Sequence, residues 1–241
     1  MDQGLSTAEQ DYLKNIYALE RECGRATTQA LATRLGVKAA SVTAMVKRLA
    51  EDATGAYLTH TPYHGMELTA RGHAVALEVL RHHRLLELYL AEHLGVPWDQ
   101  VHAEAERLEH VISEDLEERI AAKLGQPTRD PHGDPIPSRD GVMDESDGLP
   151  LTELPVGESA TLSRVPDGDP ALLQYLGTLG LVPGAAIVVA EVAPYGDVLH
   201  VRVGALTHAV GGAIARRVLA RPEMAPDVSV ECAYETEAAT R

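Results

Sequence analysis

Residues 28–47 carry two short helical periods parted by a glycine, and this pattern constrains the fold more than any other stretch of the chain. A helix from about Thr28 to Leu35 and another from about Ala39 to Glu51 are joined at Gly36, where the turn needs a left-handed conformation. Ala32 is small where the helices cross, and Leu31, Leu35, Val37, Val42 and Met45 supply the apolar side between them. The outward side of the second helix carries Lys38, Ser41, Thr43, Ala44, Lys47 and Arg48. Small hydroxyls suit base edges or phosphates and cations suit phosphates, so the pair reads as a DNA-binding helix-turn-helix. A helix pair serving only as scaffold is the alternative. The candidate DNA-contacting residues are Arg34, Lys38, Ala39, Ser41, Thr43, Lys47 and Arg48. No Arg, Asn or Gln projects from the first turn of the second helix, so specificity would lean on thymine methyls, Lys38 and DNA shape.

A net charge of −15 argues against nucleic acid until it is mapped along the chain. Residues 1–75 hold 8 Lys/Arg against 8 Asp/Glu, residues 76–140 hold 7 against 14, and residues 141–241 hold 6 against 14. Thr33–Ala50 contains four cations and no acid. Salt confines the relevant field to about 10 Å, so a local basic face can meet phosphate on an acidic protein. The chain has no apolar run long enough to span a membrane and no signal-peptide pattern at its start, which predicts a cytoplasmic protein without membrane partners. Cys23 and Cys232 show no ligand-like spacing and read as free thiols.

Ser6 and Glu9 form a capping-box pattern for a first helix from about Thr7, ended by Gly24. Tyr57–His60 and Met66–Thr69 alternate around a Pro62–Gly65 turn, predicting a hairpin where a wing would lie. Thr69 can cap a long helix to about His93, followed by helices over about 98–112 and from Ser113 to Gly125. Residues 126–150 are rich in Pro, Gly and Asp, either a linker or an extended crossing segment. Short β-type runs from about 151, with one helix near 170–179, suggest a small barrel ending near Arg221. The expected organisation is a winged helix-turn-helix domain (1–75), a helical domain (76–140), a linker (141–150), a small β-barrel (151–222) and a disordered tail (223–241).

The second informative stretch is His102–His110. At about 100° per residue, His102, Glu106, Glu109 and His110 share an arc of roughly 100° on one helix face. Four potential ligands there suggest a metal site, whereas the bland alternative is a solvated polar face. His82 and His93 lack partners at helical spacing and are expected at the surface or an interface, and His60 and His64 are expected on the wing facing phosphate or solvent.

With these parts in order, the chain resembles the diphtheria toxin repressor family of metal-dependent transcriptional regulators, and within it the manganese-responsive branch. The resemblance covers about residues 5–222 and rests on Tyr12-Leu-x-x-Ile-Tyr17, His83-Arg-Leu-Leu-Glu87, Glu109-His110 and Pro135-Ile-Pro137. It implies a mainly α fold with β: a winged helix-turn-helix domain, a helical dimerisation domain and a C-terminal SH3-like small β-barrel. It also implies a primary metal site of Asp11, Glu106, Glu109 and His110 and an ancillary site of His83, Glu87 and His102. Asp130 and His132 resemble a further stretch that supplies ancillary ligands, with Asp167 as an added candidate. Iron-responsive members place Met at the position of Asp11 and Cys at that of Glu106. Carboxylates at both suit Mn(II) while still accepting Fe(II). Many manganese-type members add a second acid one turn after the aspartate, and Lys14 stands there instead. The implied function is a homodimeric, Mn(II)-activated regulator of metal-uptake genes on a palindromic operator, with no enzymatic activity and no small-molecule substrate. The rival readings are a metal-independent winged-helix regulator and a His/carboxylate metalloenzyme; for the latter the chain offers no His-Glu-x-x-His helix.

Overall fold

A first helix, α1 (Thr7–Cys23), starts where the Ser6 backbone N–H donates to Glu9 Oε2 at 2.8 Å and stops at Gly24, which is left-handed. α2 (Thr28–Leu35) is capped by Thr27 Oγ1, which accepts from Ala30 N at 3.2 Å. Gly36, at φ +66°, turns the chain into α3 (Ala39–Ala50). β1 (Leu58–Thr61) and β2 (Gly65–Leu68) pair antiparallel as the hairpin, with Leu58 opposite Leu68. The structure, a computed structural model, describes residues 4–52, 55–61, 64–144, 146, 148–195 and 197–223. The expected tail beyond Glu223 and the turn residues Pro62 and Tyr63 lie outside the described residues.

α1, α2, α3 and the hairpin close on one apolar core that includes Leu13, Ile16, Leu31, Val42, Val46, Leu49 and Met66. Val37, expected in this core, is instead 39% exposed because it lies in the turn, before α3 begins. Each buried leucine here is worth about 2–5 kcal/mol against truncation to alanine.

The long helix α4 (Ala70–Leu94) is capped by Thr69 and links this core to a second. There α4 packs against α5 (Val101–Leu108) and α6 (Glu114–Lys123), burying Leu85, Ala105, Ile120 and Ile136. α5 is shorter than the sequence suggests. Glu109 nevertheless keeps helical φ/ψ (−57°, −28°) as its cap, so the ligand face continues past the last turn. The Pro-rich stretch after α6 crosses α4 in extended form: the Arg81 Nη1 donates to Pro137 O at 2.7 Å and Arg84 donates to Pro135 O.

The remainder is a six-stranded antiparallel sheet in the order β3-β8-β4-β5-β6-β7. Its strands are β3 (Leu149–Pro150), β4 (Ser159–Arg164), β5 (Ala186–Val192), β6 (Val198–Val203), β7 (Leu206–Gly211) and β8 (Leu219–Pro222). With α7 (Pro170–Thr178) it encloses a third apolar core. This SH3-like unit docks on the helical one. Val165 N donates to His132 O at 2.9 Å, and Arg164 pairs with Asp134 at 2.7 Å. Gly133, at φ +88°, lies so close to Ser163 O that a Cβ would sit 1.9 Å from it. Among the described residues no helix is long and apolar enough to cross a membrane.

Candidate metal centres and nucleic-acid interface

Asp11 and Lys14 lie three residues apart on α1, so both side chains project from one face toward the end of α5. His110 Nε2 is 2.8 Å from Asp11 Oδ1 and 3.1 Å from Glu109 Oε1. Its other nitrogen meets Gln10 Oε1 at 2.6 Å, which fixes the ring. Asp11, Glu109 and His110 thus converge with donor atoms spaced as one ion would need. Glu106 does not close on them directly. Its Oε1 accepts from Lys14 Nζ at 2.7 Å, and the same ammonium donates to Glu109 Oε1 at 2.6 Å. The sequence flags Lys14 only as a missing acid; its part as the bridge between the two glutamates was not legible there.

Glu109 is fully buried and links this cluster to the next one, because its Oε2 lies 2.5 Å from His83 Nδ1. Against the cost of burial, hydrogen bonds from His110 and His83 hold the Glu109 carboxyl well below the usual range. The Glu87 charge and the Glu109 hydrogen bond outweigh burial at His83 and push it up to about 10. At His110, Asp11 and Glu109 likewise outweigh burial and raise it to about 9.

His83, Glu87 and His102 come together. His83 Nε2 is 3.0 Å from both Glu87 Oε1 and His102 Nδ1, and His102 Nδ1 is 3.1 Å from Glu87 Oε1. The other oxygen of Glu87 faces His132 Nδ1 at 3.9 Å, and both atoms are buried with no hydrogen-bond partner. His132 Nε2 donates to Trp98 O at 2.8 Å, which leaves Nδ1 as the ring nitrogen aimed at the carboxylate oxygen. Two buried polar atoms that face each other without a hydrogen-bond partner mark a place where a cation could be held. Asp167, in the loop before α7, brings its carboxylate into the same group and lies 3.9 Å from His102 Nδ1.

Asp130 sits beside this group without entering it. Its Oδ1 accepts from the backbone N–H of His132 and of Asp134, both at 2.9 Å, and so shapes the turn that presents His132. Burial and the nearby charges of Asp134 and Glu87 push its carboxyl well up.

His82 is a correction. Expected at the surface or an interface, it is fully buried, with Nδ1 3.0 Å from Glu109 O and Nε2 3.3 Å from Glu117 Oε2. A lone histidine gives no local signal that a helix 30 residues later will supply its partner. His93, His60 and His64 are exposed.

Lys38, Ala39, Ser41, Thr43 and Lys47 are all exposed on the outer side of the helix pair. Two cations of this face are already engaged by α1: Arg34 makes a two-pronged pair with Glu22 at 2.7 and 2.9 Å, and Arg48 pairs with Glu9 at 2.9 Å. α1 therefore touches both the candidate reading helices and the candidate metal cluster.

The parts match known domains in this same order. Residues 4–66 match the iron dependent repressor N-terminal DNA binding domain, residues 69–138 the iron dependent repressor metal binding and dimerisation domain, and residues 149–222 the FeoA domain. The iron-dependent repressor IdeR of Mycobacterium tuberculosis is 38% identical over 210 residues, covering 82% of this chain and 89% of its own. The chain belongs to the diphtheria toxin repressor family of metal-dependent transcriptional regulators. The diphtheria toxin repressor of Corynebacterium efficiens is 36% identical over 154 residues, 61% of this chain and 65% of its own. A manganese-dependent transcriptional repressor in complex with manganese superposes with a TM-score of 0.80 at 35% identity, covering 89% of this chain and all of the other. The family consists of repressors, not enzymes.

Proposed function

We propose that the chain is a homodimeric, Mn(II)-activated repressor of metal-uptake genes that also accepts Fe(II) and binds a palindromic operator. The observation that carries this reading is the placement of α1, whose Asp11 reaches Glu109 and His110 while its Glu9 and Glu22 hold Arg48 and Arg34 of the helix-turn-helix. A divalent ion would be held at a first centre by Asp11, Glu106, Glu109 and His110. A second centre would use Glu87, His132 and Asp167, with His83 and His102 alongside and Asp130 setting the turn. Carboxylate oxygens with one imidazole per centre suit a hard cation. When bound, the ion supplies positive charge that draws crowded carboxylates of different helices together.

This chain's own residues do the rest. An ion can act only by binding the DNA-competent arrangement better than the incompetent one. Fixing Asp11 to the end of α5 fixes α1, and with it the angle of α2 and α3 against the helical unit. Leu108, Val111 and Leu116 leave 37%, 74% and 45% of their surface exposed along α5 and the start of α6. That apolar strip suits a two-fold contact, and a two-fold protein places two reading helices about one DNA turn or a multiple apart. Selection of binding sites from a random duplex library, with Mn(II) and with chelator, tests the reading. Palindromes enriched only with metal are expected; equal enrichment with chelator overturns it.

A further inference from the structure

We propose that Lys14 is a tethered cation that occupies the first centre in the metal-free protein, that an incoming divalent ion must expel, and that limits this centre to one ion. The proposal rests on the reading that Asp11, Glu106, Glu109 and His110 take a metal.

The Lys14 side chain is only 10% exposed, and its ammonium donates to one oxygen each of Glu106 and Glu109, at 2.7 and 2.6 Å. Those two oxygens belong to the same carboxylates that an ion would need. Glu109 Oε1 also lies 3.1 Å from His110 Nε2, so the ammonium shares an oxygen with the ring that would be its neighbour ligand. An ion drawing on Glu106 and Glu109 would stand within a few ångströms of a full positive charge in a buried place, where repulsion is strong. The two cannot both remain. Lys14 has a flexible four-carbon stem, and Asp11 and Asn15 line the same solvent-connected cavity, so the ammonium has somewhere to go.

Charge balance sets the number of ions. Once Lys14 has left, Asp11, Glu106 and Glu109 bring three negative charges, enough for one divalent ion but not for the four positive charges of two. An acid at position 14 would leave four, enough for two.

The ammonium also does in the metal-free protein part of what the ion does later: it ties α1 to the end of α5 through partners 92 and 95 residues away. The metal is thereby in competition with an internal salt bridge, which raises the concentration at which it binds.

Calorimetric titration of Mn(II) into full-length protein tests this, in a background where His132→Ala with Asp167→Ala disables the second centre. With Lys14 present, one ion per chain is expected. Lys14→Met is expected to bind that ion at least about tenfold more tightly, since the competitor is gone and no ligand is lost, while the melting temperature of the metal-free form falls. Lys14→Glu is expected to raise the count from one ion to two. Unchanged or weaker affinity in Lys14→Met, or two ions with Lys14 in place, overturns the proposal while leaving the metal reading standing. A chain with Lys14 present that takes up no Mn(II) overturns both. A measurement without substitution at position 14 guards against a misfolded variant: acylation of the Lys14 amine, followed by mass spectrometry, should increase when Mn(II) is added. Labelling that is unchanged or suppressed by Mn(II) overturns the expulsion.

Discussion

The two candidate centres sit side by side, share the Glu109–His83 contact, and are built on different kinds of support. The first joins α1 to the end of α5, and its Asp11 and His110 are 99 residues apart and partly exposed. Lys14 already offsets part of its negative charge. The second joins α4, the extended crossing segment and the loop before α7, with Glu87 and His132 fully buried and facing each other through one atom each that has no hydrogen-bond partner. An ion at the first centre would act on a helix that carries the DNA-reading pair. At the second it would fasten the SH3-like unit to the helical one. What an ion does to a protein is set by which elements it bridges, because only a difference between states can be driven by binding.

Removing the first-centre residue through which the two centres touch should have the largest effect. Glu109→Ala strips Lys14 and His83 of a buried carboxylate and is expected to cost about 3 kcal/mol or more of stability, with Mn(II) uptake at the first centre lost; chemical denaturation and titration measure both. A variant of ordinary stability would show that the two centres are independent. The next test separates them. Asp11→Ala should lower the Mn(II)-dependent gain in DNA affinity by at least about tenfold, whereas Asp167→Ala should mainly reduce the rise in melting temperature that Mn(II) produces. Equal effects on DNA binding would erase the distinction between a switch and a fastener. A smaller shift is expected from exchanging ligand chemistry at the first centre alone. Asp11→Met with Glu106→Cys should move half-maximal DNA binding toward Fe(II) relative to Mn(II), because thioether and thiolate are softer than carboxylate. An unchanged ratio would place metal choice in the second centre.

The smallest expected effect concerns acid stability on the α4–α6 side. Burial works against the Glu117 carboxylate, but the His82 hydrogen bond and the Arg81 charge win and hold it below the ordinary range. Its folded value thus lies under the unfolded one of about 4.3. The stability it contributes is complete above that pH and is lost as pH falls through the folded value. Glu117→Gln in metal-free protein should therefore melt lower near neutral pH and lose less on acidification; parallel melting curves for the two forms would show that Glu117 contributes nothing through its charge.

Much of this molecule is written locally. The Ser6–Glu9 box, the Thr69 and Ser113 caps and the left-handed Gly36 act within three or four residues, so the first three helices, the hairpin and α4 are legible along the chain. The ligand face from His102 to His110 is also local, being a matter of helical pitch. Contacts between distant elements are less legible. The engagement of Arg34 and Arg48 by α1, and the burial of His82 against α6, depend on which faces pack together. Asp167 shows the same limit: nothing within its own loop distinguishes it from the exposed acids around it.

Sequence alone determined the kinds of donor available, their spacing on each helix and the order of the three units, because these follow from backbone geometry over a few residues. Tertiary structure alone decided how the donors are shared out. It put the Lys14 ammonium between Glu106 and Glu109, gave both oxygens of Glu109 to different neighbours, and set Glu87 Oε2 against His132 Nδ1 with no hydrogen bond between them. The reason is that Glu109 meets His83 and Lys14 across 26 and 95 positions, where the close packing of three cores, and no local rule, fixes which atoms meet.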